Sequence, residues 1–106
     1  MTGRTVPPDL LDSVVGYFKP RRVILFGSAA RGDAGPDSDI DLLVVLDDDA
    51  PPEMCTLRAG DRARRTFRRA ADVIPVREST FAVKSRIAGT LSHAAKSEGV
   101  VVYERD

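Results

Sequence analysis

Arg22-Val23-Ile24-Leu25-Phe26-Gly27-Ser28 and, ten residues further on, Asp39-Ile40-Asp41-Leu42-Leu43-Val44-Val45-Leu46 are the stretches that decide the fold. The first is a short apolar run stopped by Gly-Ser, the pattern of a buried strand that ends in a turn. The second opens with two acids and continues apolar at every position. Side chains alternate along a strand, so Asp39 and Asp41 share a face while Ile40, Leu42 and Val44 occupy the other. Leu43 and Val45 continue the aspartate face inward. A strand apolar on both faces beyond its first residues is expected in the middle of a sheet. The acids then stand at its start.

Working outward, Leu10, Leu11, Val14, Val15 and Phe18 recur at helical spacing, with Asp9 as a cap after Pro7-Pro8 and Pro20 as a stop. Ala29 to Gly32 is read as one helical turn, and Gly32 to Ser38 as a loop rich in Gly, Pro, Asp and Ser. Residues 53–71 are expected to form a second helix, burying Met54, Leu57, Ala63, Phe67 and Ala70. Residues 72–76 make a third strand, and Pro75 inside it points to an edge or a bulge. Residues 80–98 are expected to form a third long helix with Phe81, Val83, Ile87, Leu91 and Ala94 apolar, ended by Gly99. Residues 100–103 form a last strand. The order helix, strand, strand, helix, strand, helix, strand is that of a mixed α/β (α+β) domain, a small sheet flanked by helices. Strand order does not follow from the pattern.

The 106 residues suffice for one core, so a single domain over 1–106 is expected. No apolar run approaches the roughly 18 residues of a membrane span, and the N-terminus lacks signal-peptide features. Cys55 is the only cysteine, which excludes an internal disulfide and reads as a partly buried small hydrophobe. A cytoplasmic location fits. Net charge is zero, yet the charges are segregated. Seven aspartates and no Lys or Arg lie between Asp33 and Asp49; six arginines and one acid lie between Arg58 and Arg69. An acidic cluster at a strand start suggests a cation, and a basic stretch suggests phosphate, nucleic acid or an acidic protein.

The acids and the Gly-Ser turn carry the chemistry. Two aspartates two apart on a strand have Cα atoms about 6.6–7 Å apart. Their repulsion suits them poorly to a core, and a divalent cation removes it. Mg²⁺ takes oxygen ligands, commonly one or two carboxylates with substrate phosphates. Gly27 lets an anion approach the backbone closely, and N–H groups at a helix start favour phosphate. The Ser28 hydroxyl and the Arg31 guanidinium can add contacts to a phosphate. A Gly-Ser turn by itself is an ordinary strand-to-helix connection, and an Asp-x-Asp pair by itself is a surface turn or a cap. The two together, ten residues apart and between buried strands, point to one site.

These residues, 27–44, resemble the signature of the DNA polymerase β-type nucleotidyltransferases. Within that superfamily the chain is similar to the minimal nucleotidyltransferases, MntA-like proteins paired with HEPN-domain toxins. The likeness extends over most of the chain and includes the tail Glu98-Gly99-Val100-Val101-Val102-Tyr103. It implies a polymerase β-like mixed sheet, two Mg²⁺ ions, and ATP as the nucleotide donor. It also implies a third metal-binding carboxylate on a neighbouring strand, and Asp72 matches; read without the family, Asp72 begins a strand where an acid needs a reason, the alternative being an acid that caps or ends the preceding helix. The resemblance thus implies Asp39, Asp41 and Asp72 as metal-binding and catalytic, and Gly27, Ser28 and Arg31 as nucleotide-binding. It implies attack of a hydroxyl on the α-phosphorus of ATP, with AMP transferred to a HEPN toxin and the chain acting as an antitoxin. Two other readings stay open: a binding module that neutralises a partner by contact alone, and a nucleotidyltransferase acting on RNA or a small molecule.

Arg58, Arg62, Arg65 and Arg69, spaced 4, 3 and 4 apart, would line one helix face. Such a stripe can be solvated, dock an acidic partner or contact RNA. It lacks interleaved aromatics, which argues against a single-strand platform. His93 reads as a surface histidine, and Tyr17 and Tyr103 as packing residues.

Overall fold

In the computed structural model, residues 6–27, 30 and 39–105 are described. The chain forms α1 (Pro8–Phe18), β1 (Arg22–Phe26), β2 (Ile40–Leu46), a single 3-10 turn (Pro52–Met54), α2 (Leu57–Ala63), β3 (Ala71–Arg77), α3 (Glu78–Lys84), α4 (Leu91–Glu98) and β4 (Val100–Glu104). The four strands make one mixed sheet in the order β3-β2-β1-β4. β1 runs antiparallel to β2 and β4, and β2 runs parallel to β3.

α1 starts on Pro8, whose missing N–H is harmless in a first turn. Asp9 lies in that first turn instead of capping it, where its charge still favours the helix dipole. Leu10, Val14 and Phe18, four apart, are its buried stripe, and Lys19 closes it in a left-handed conformation, its N–H bonded to the Val15 carbonyl. β2 lies inside the sheet and is buried from Leu42 to Leu46, as its two-sided apolar sequence requires. Pro75 sits on β3, an edge strand, where a missing ladder donor is tolerated.

Alternation splits the core into two layers. Val23, Leu25, Leu42, Val44 and Val73 face α1 and α2, meeting Leu10, Val14, Ala59 and Ala63. Ile24, Phe26, Leu43 and Val45 face α3 and α4, meeting Phe81 and Ala95.

Both long helices expected from the sequence are broken. In place of a helix over 53–71 there is the 3-10 turn and then α2, which ends at Ala63. Thr56 starts α2 afresh, its hydroxyl accepting the Ala59 N–H at 3.1 Å. Beyond it, the Arg64 guanidinium donates to the carbonyls of Phe67 and Arg69, and Ile40 N–H bonds to Ala70 O at 3.2 Å, so the chain unwinds into the β2–β3 ladder. The helix over 80–98 is α3 and α4, separated by a turn in which Gly89 has φ +92°. Thr90 holds that turn: its hydroxyl lies 2.8 Å from Lys84 O and 2.9 Å from Ile87 O and accepts the His93 N–H at 3.1 Å. Burial changes accordingly. Leu57 and Val83 are 67% and 62% exposed, and Ile87, Leu91 and Ala70 are exposed as well.

A candidate active site at the open end of the sheet

β1 ends, and β2 and β3 begin, at the same end of the sheet. The pairing there is exact in register: Phe26 faces Asp41, and Asp41 faces Asp72. Side-chain parity sends Asp41 to the same face as Leu43 and Val45, the layer covered by α3 and α4. Along β2 the packed part of that layer ends at Leu43, and Asp41 and Asp72 stand in the row of Phe26, the last buried residue of β1. Asp41 is half-buried, whereas Asp39 and Asp72 are exposed. Asp39 precedes β2 rather than belonging to it.

Two carboxylates as direct neighbours across a parallel pair must share charge. Burial pushes the Asp41 carboxyl above its ordinary value, and the charges of Asp72 and then Asp39 push it further in the same direction. Hydrogen bonding with the Asp72 side chain raises it too. Among the described residues, no three acidic, His or Cys side chains stand together in ligating geometry. Asp41 and Asp72 are in contact, while Asp39 acts on Asp41 through charge alone. A paired set of hard oxygen donors whose repulsion a cation would relieve fits Mg²⁺.

Gly27 closes the site from the β1 side. Its φ is +76°, in the region that favours glycine. A Cβ built on it would lie 2.3 Å from Asp41 Oδ2, so the backbone of the turn is packed directly on the carboxylate. Ala30, buried, donates its N–H to Gly27 O at 3.1 Å and closes the turn. Ser28, Arg31 and the rest of 31–38 lie outside the described residues, as does most of the helical turn expected over Ala29 to Gly32. The structure therefore gathers Gly27, Asp41 and Asp72, with Asp39 at their margin.

Ion pairs among the described residues lie at the other end of the sheet. Arg22 meets Glu78 at 3.1 Å, and Asp47 meets Arg21 at 3.2 Å and Arg105 at 2.8 Å, beside the start of β1 and the ends of β2 and β3. Arg105 and Arg21 hold the Asp47 carboxyl below its ordinary value. This latch ties the end of the chain to the far end of the sheet, and nothing in the sequence pattern signalled it.

Residues 9–101 match the model of the nucleotidyltransferase domain family. The chain belongs to that family. Its fold is the polymerase β-like one, a small mixed sheet flanked by helices. No curated protein matches it. Among solved structures it is similar to a Sulfolobus solfataricus protein ascribed to the nucleotidyltransferases, at 25% identity and a TM-score of 0.59, covering 92% of this chain and 76% of that one. It is also similar in fold to a chain of a toxin–antitoxin complex with AMP-PNP, at 16% identity and a TM-score of 0.61, covering 95% of this chain and 76% of that one. Among the described residues, no helix is long and apolar enough to cross a membrane.

Proposed function

We propose that the chain acts as one domain, a magnesium-dependent nucleotidyltransferase that transfers AMP from ATP to a hydroxyl of a partner protein. The partner we infer is a HEPN-type toxin, silenced by the transfer in the cytoplasm. The observation that carries the reading is the Asp41–Asp72 pair, opposed across β2 and β3 with the Gly27 turn packed against Asp41. Membership of the nucleotidyltransferase domain family supports the class of reaction. The fold neighbour seen in a toxin–antitoxin complex with AMP-PNP supports the partner and the donor.

Asp39, Asp41 and Asp72 would hold Mg²⁺, which when bound neutralises phosphate charge and acidifies an acceptor hydroxyl. Gly27, with no side chain, lets the turn lie directly against Asp41, so phosphates held by the turn would lie beside the carboxylates. Ser28 and Arg31 follow it in sequence and would donate to the same phosphates. The acceptor oxygen forms a bond to the α-phosphorus, the bond from that phosphorus to the bridging oxygen breaks, and pyrophosphate departs. Asp72, the exposed member of the pair, would take the hydroxyl proton. Paired strands hold Asp41 and Asp72, so the contribution of the protein would be chiefly position and charge.

Intact-mass spectrometry tests this. The HEPN-type partner is incubated with the chain, Mg²⁺ and ATP, beside an Asp39→Ala/Asp41→Ala variant. The expected result is a gain of one or more AMP units that the variant does not produce. A tight complex without any mass gain would overturn transfer and leave neutralisation by contact.

A further inference from the structure

The arginine-rich segment after residue 57 is not used by the reading above. As a helical stripe it does not exist, because α2 ends at Ala63 and Arg65 and Arg69 lie past it. The fold does something else with it. Arg62, Arg65 and Thr66 line a hollow of about 560 Å³ together with Ser13 and Tyr17 of α1. The Ser13 hydroxyl donates to the Ala63 carbonyl and pins the two helices together at this point. Arg62 and Arg65 are exposed, and among the described residues neither side chain has an ion-pair or hydrogen-bond partner. Tyr17 is 36% exposed, its ring held edge-on by Phe18 with centroids 5.0 Å apart.

The sequence stripe has no aromatic among its arginines; α1 supplies one from 45 residues away. Two unpaired guanidinium groups, the Thr66 hydroxyl and a half-open aromatic ring are complementary to phosphodiester and base together. An acidic peptide would use the arginines but has no demand for the ring. We propose that this hollow binds a single-stranded polynucleotide, with Arg62 and Arg65 on successive phosphates and a base stacked on Tyr17. The hollow belongs to the α1–α2 layer, whereas Asp41 points into the opposite layer. A bound strand therefore leaves the carboxylates free, and the site is independent of nucleotide transfer.

The test is fluorescence anisotropy of labelled oligo-rU and oligo-dT with the whole chain in chelator, at several salt concentrations. Binding is expected to weaken by about tenfold or more in Arg62→Ala/Arg65→Ala, with the slope of log affinity against log salt reduced by about 1.4, two single-strand phosphates. Tyr17→Ala is expected to lose about tenfold and Tyr17→Phe to retain affinity, the signature of stacking. Binding of either oligomer with these losses supports the proposal and names the preferred sugar. The proposal is overturned by no binding at low salt, or by equal losses in the charge-matched Lys84→Ala/Lys96→Ala control. It is equally overturned if poly-glutamate competes as well as the oligomers, which would make the hollow an acidic-protein site.

Discussion

Replacing Gly27 by alanine probes the packing of the turn against Asp41. The new methyl carbon would start 2.3 Å from Asp41 Oδ2, whereas non-bonded contacts settle near roughly 3.5 Å. The carboxylate would have to retreat by about 1 Å, and it can, since it is the end of a side chain. The backbone cannot relax as easily. At φ +76° an L residue costs about 1–2 kcal/mol. Gly27→Ala should therefore remain folded, lose about 1–2 kcal/mol in urea denaturation, and displace Asp41 from its position beside Asp72. A displacement of that size costs on the order of 100-fold in rate where positioning dominates. The assay is transfer of radiolabelled AMP to the partner, with denaturation run in parallel. Gly16→Ala is the matched control: Gly16 lies inside α1, nothing would stand within 4 Å of its Cβ, and it should gain about 0.5–1 kcal/mol. Undiminished stability and transfer in Gly27→Ala would refute the packing of the turn against Asp41.

Removing one charge of the acidic pair should stabilise the metal-free protein: in chelator, Asp41→Asn is expected to melt higher than the parent, and Mg²⁺ should raise its melting temperature less. The pH dependence has a definite sign. The Asp41 carboxyl is raised in the folded state above 3.8, so the native protein binds the extra proton between those two values and its stability falls as pH rises through them. Comparing the parent with Asp41→Asn from neutral pH down towards 4.5 should show a gap in melting temperature that narrows on acidification; a constant gap would contradict the assignment. Gly60→Ala should cost about 1–3 kcal/mol in chemical denaturation, because its Cβ would lie 1.9 Å from the Val73 carbonyl oxygen and α2 would have to lift from β3. Thr90→Ala should cost about 1–2 kcal/mol, because the hydroxyl caps α4 and holds the turn from α3, and hydrogen exchange should show the Ser85–Thr90 turn loosened first.

Much was already decided by the order of residues. Val23 to Phe26 and Leu42 to Leu46 are apolar at every position, so only an interior place in a sheet covered on both sides satisfies them. Pro75 requires an edge or a bulge, and β3 is an edge strand. Leu10, Val14 and Phe18 can be buried together only as a helix. The place of Asp41 near the start of an interior strand and the glycine turn after β1 were legible in the same way, from strand alternation and backbone freedom; that the turn packs on Asp41 itself was not. Tertiary structure decided the rest. Helix periodicity over 53–71 and 80–98 is continuous in sequence, but the ladder that begins with Ile40 N–H on Ala70 O, and the Thr90 hydroxyl on two carbonyls, outweigh it locally. Strand order, and with it the Asp41–Asp72 opposition, depends on which strands pair over a long separation, which no local pattern encodes. The meeting of Tyr17 with Arg62 and Arg65 is of the same kind: two helices bring it about by packing on one face of the sheet, where side chains distant in sequence become neighbours.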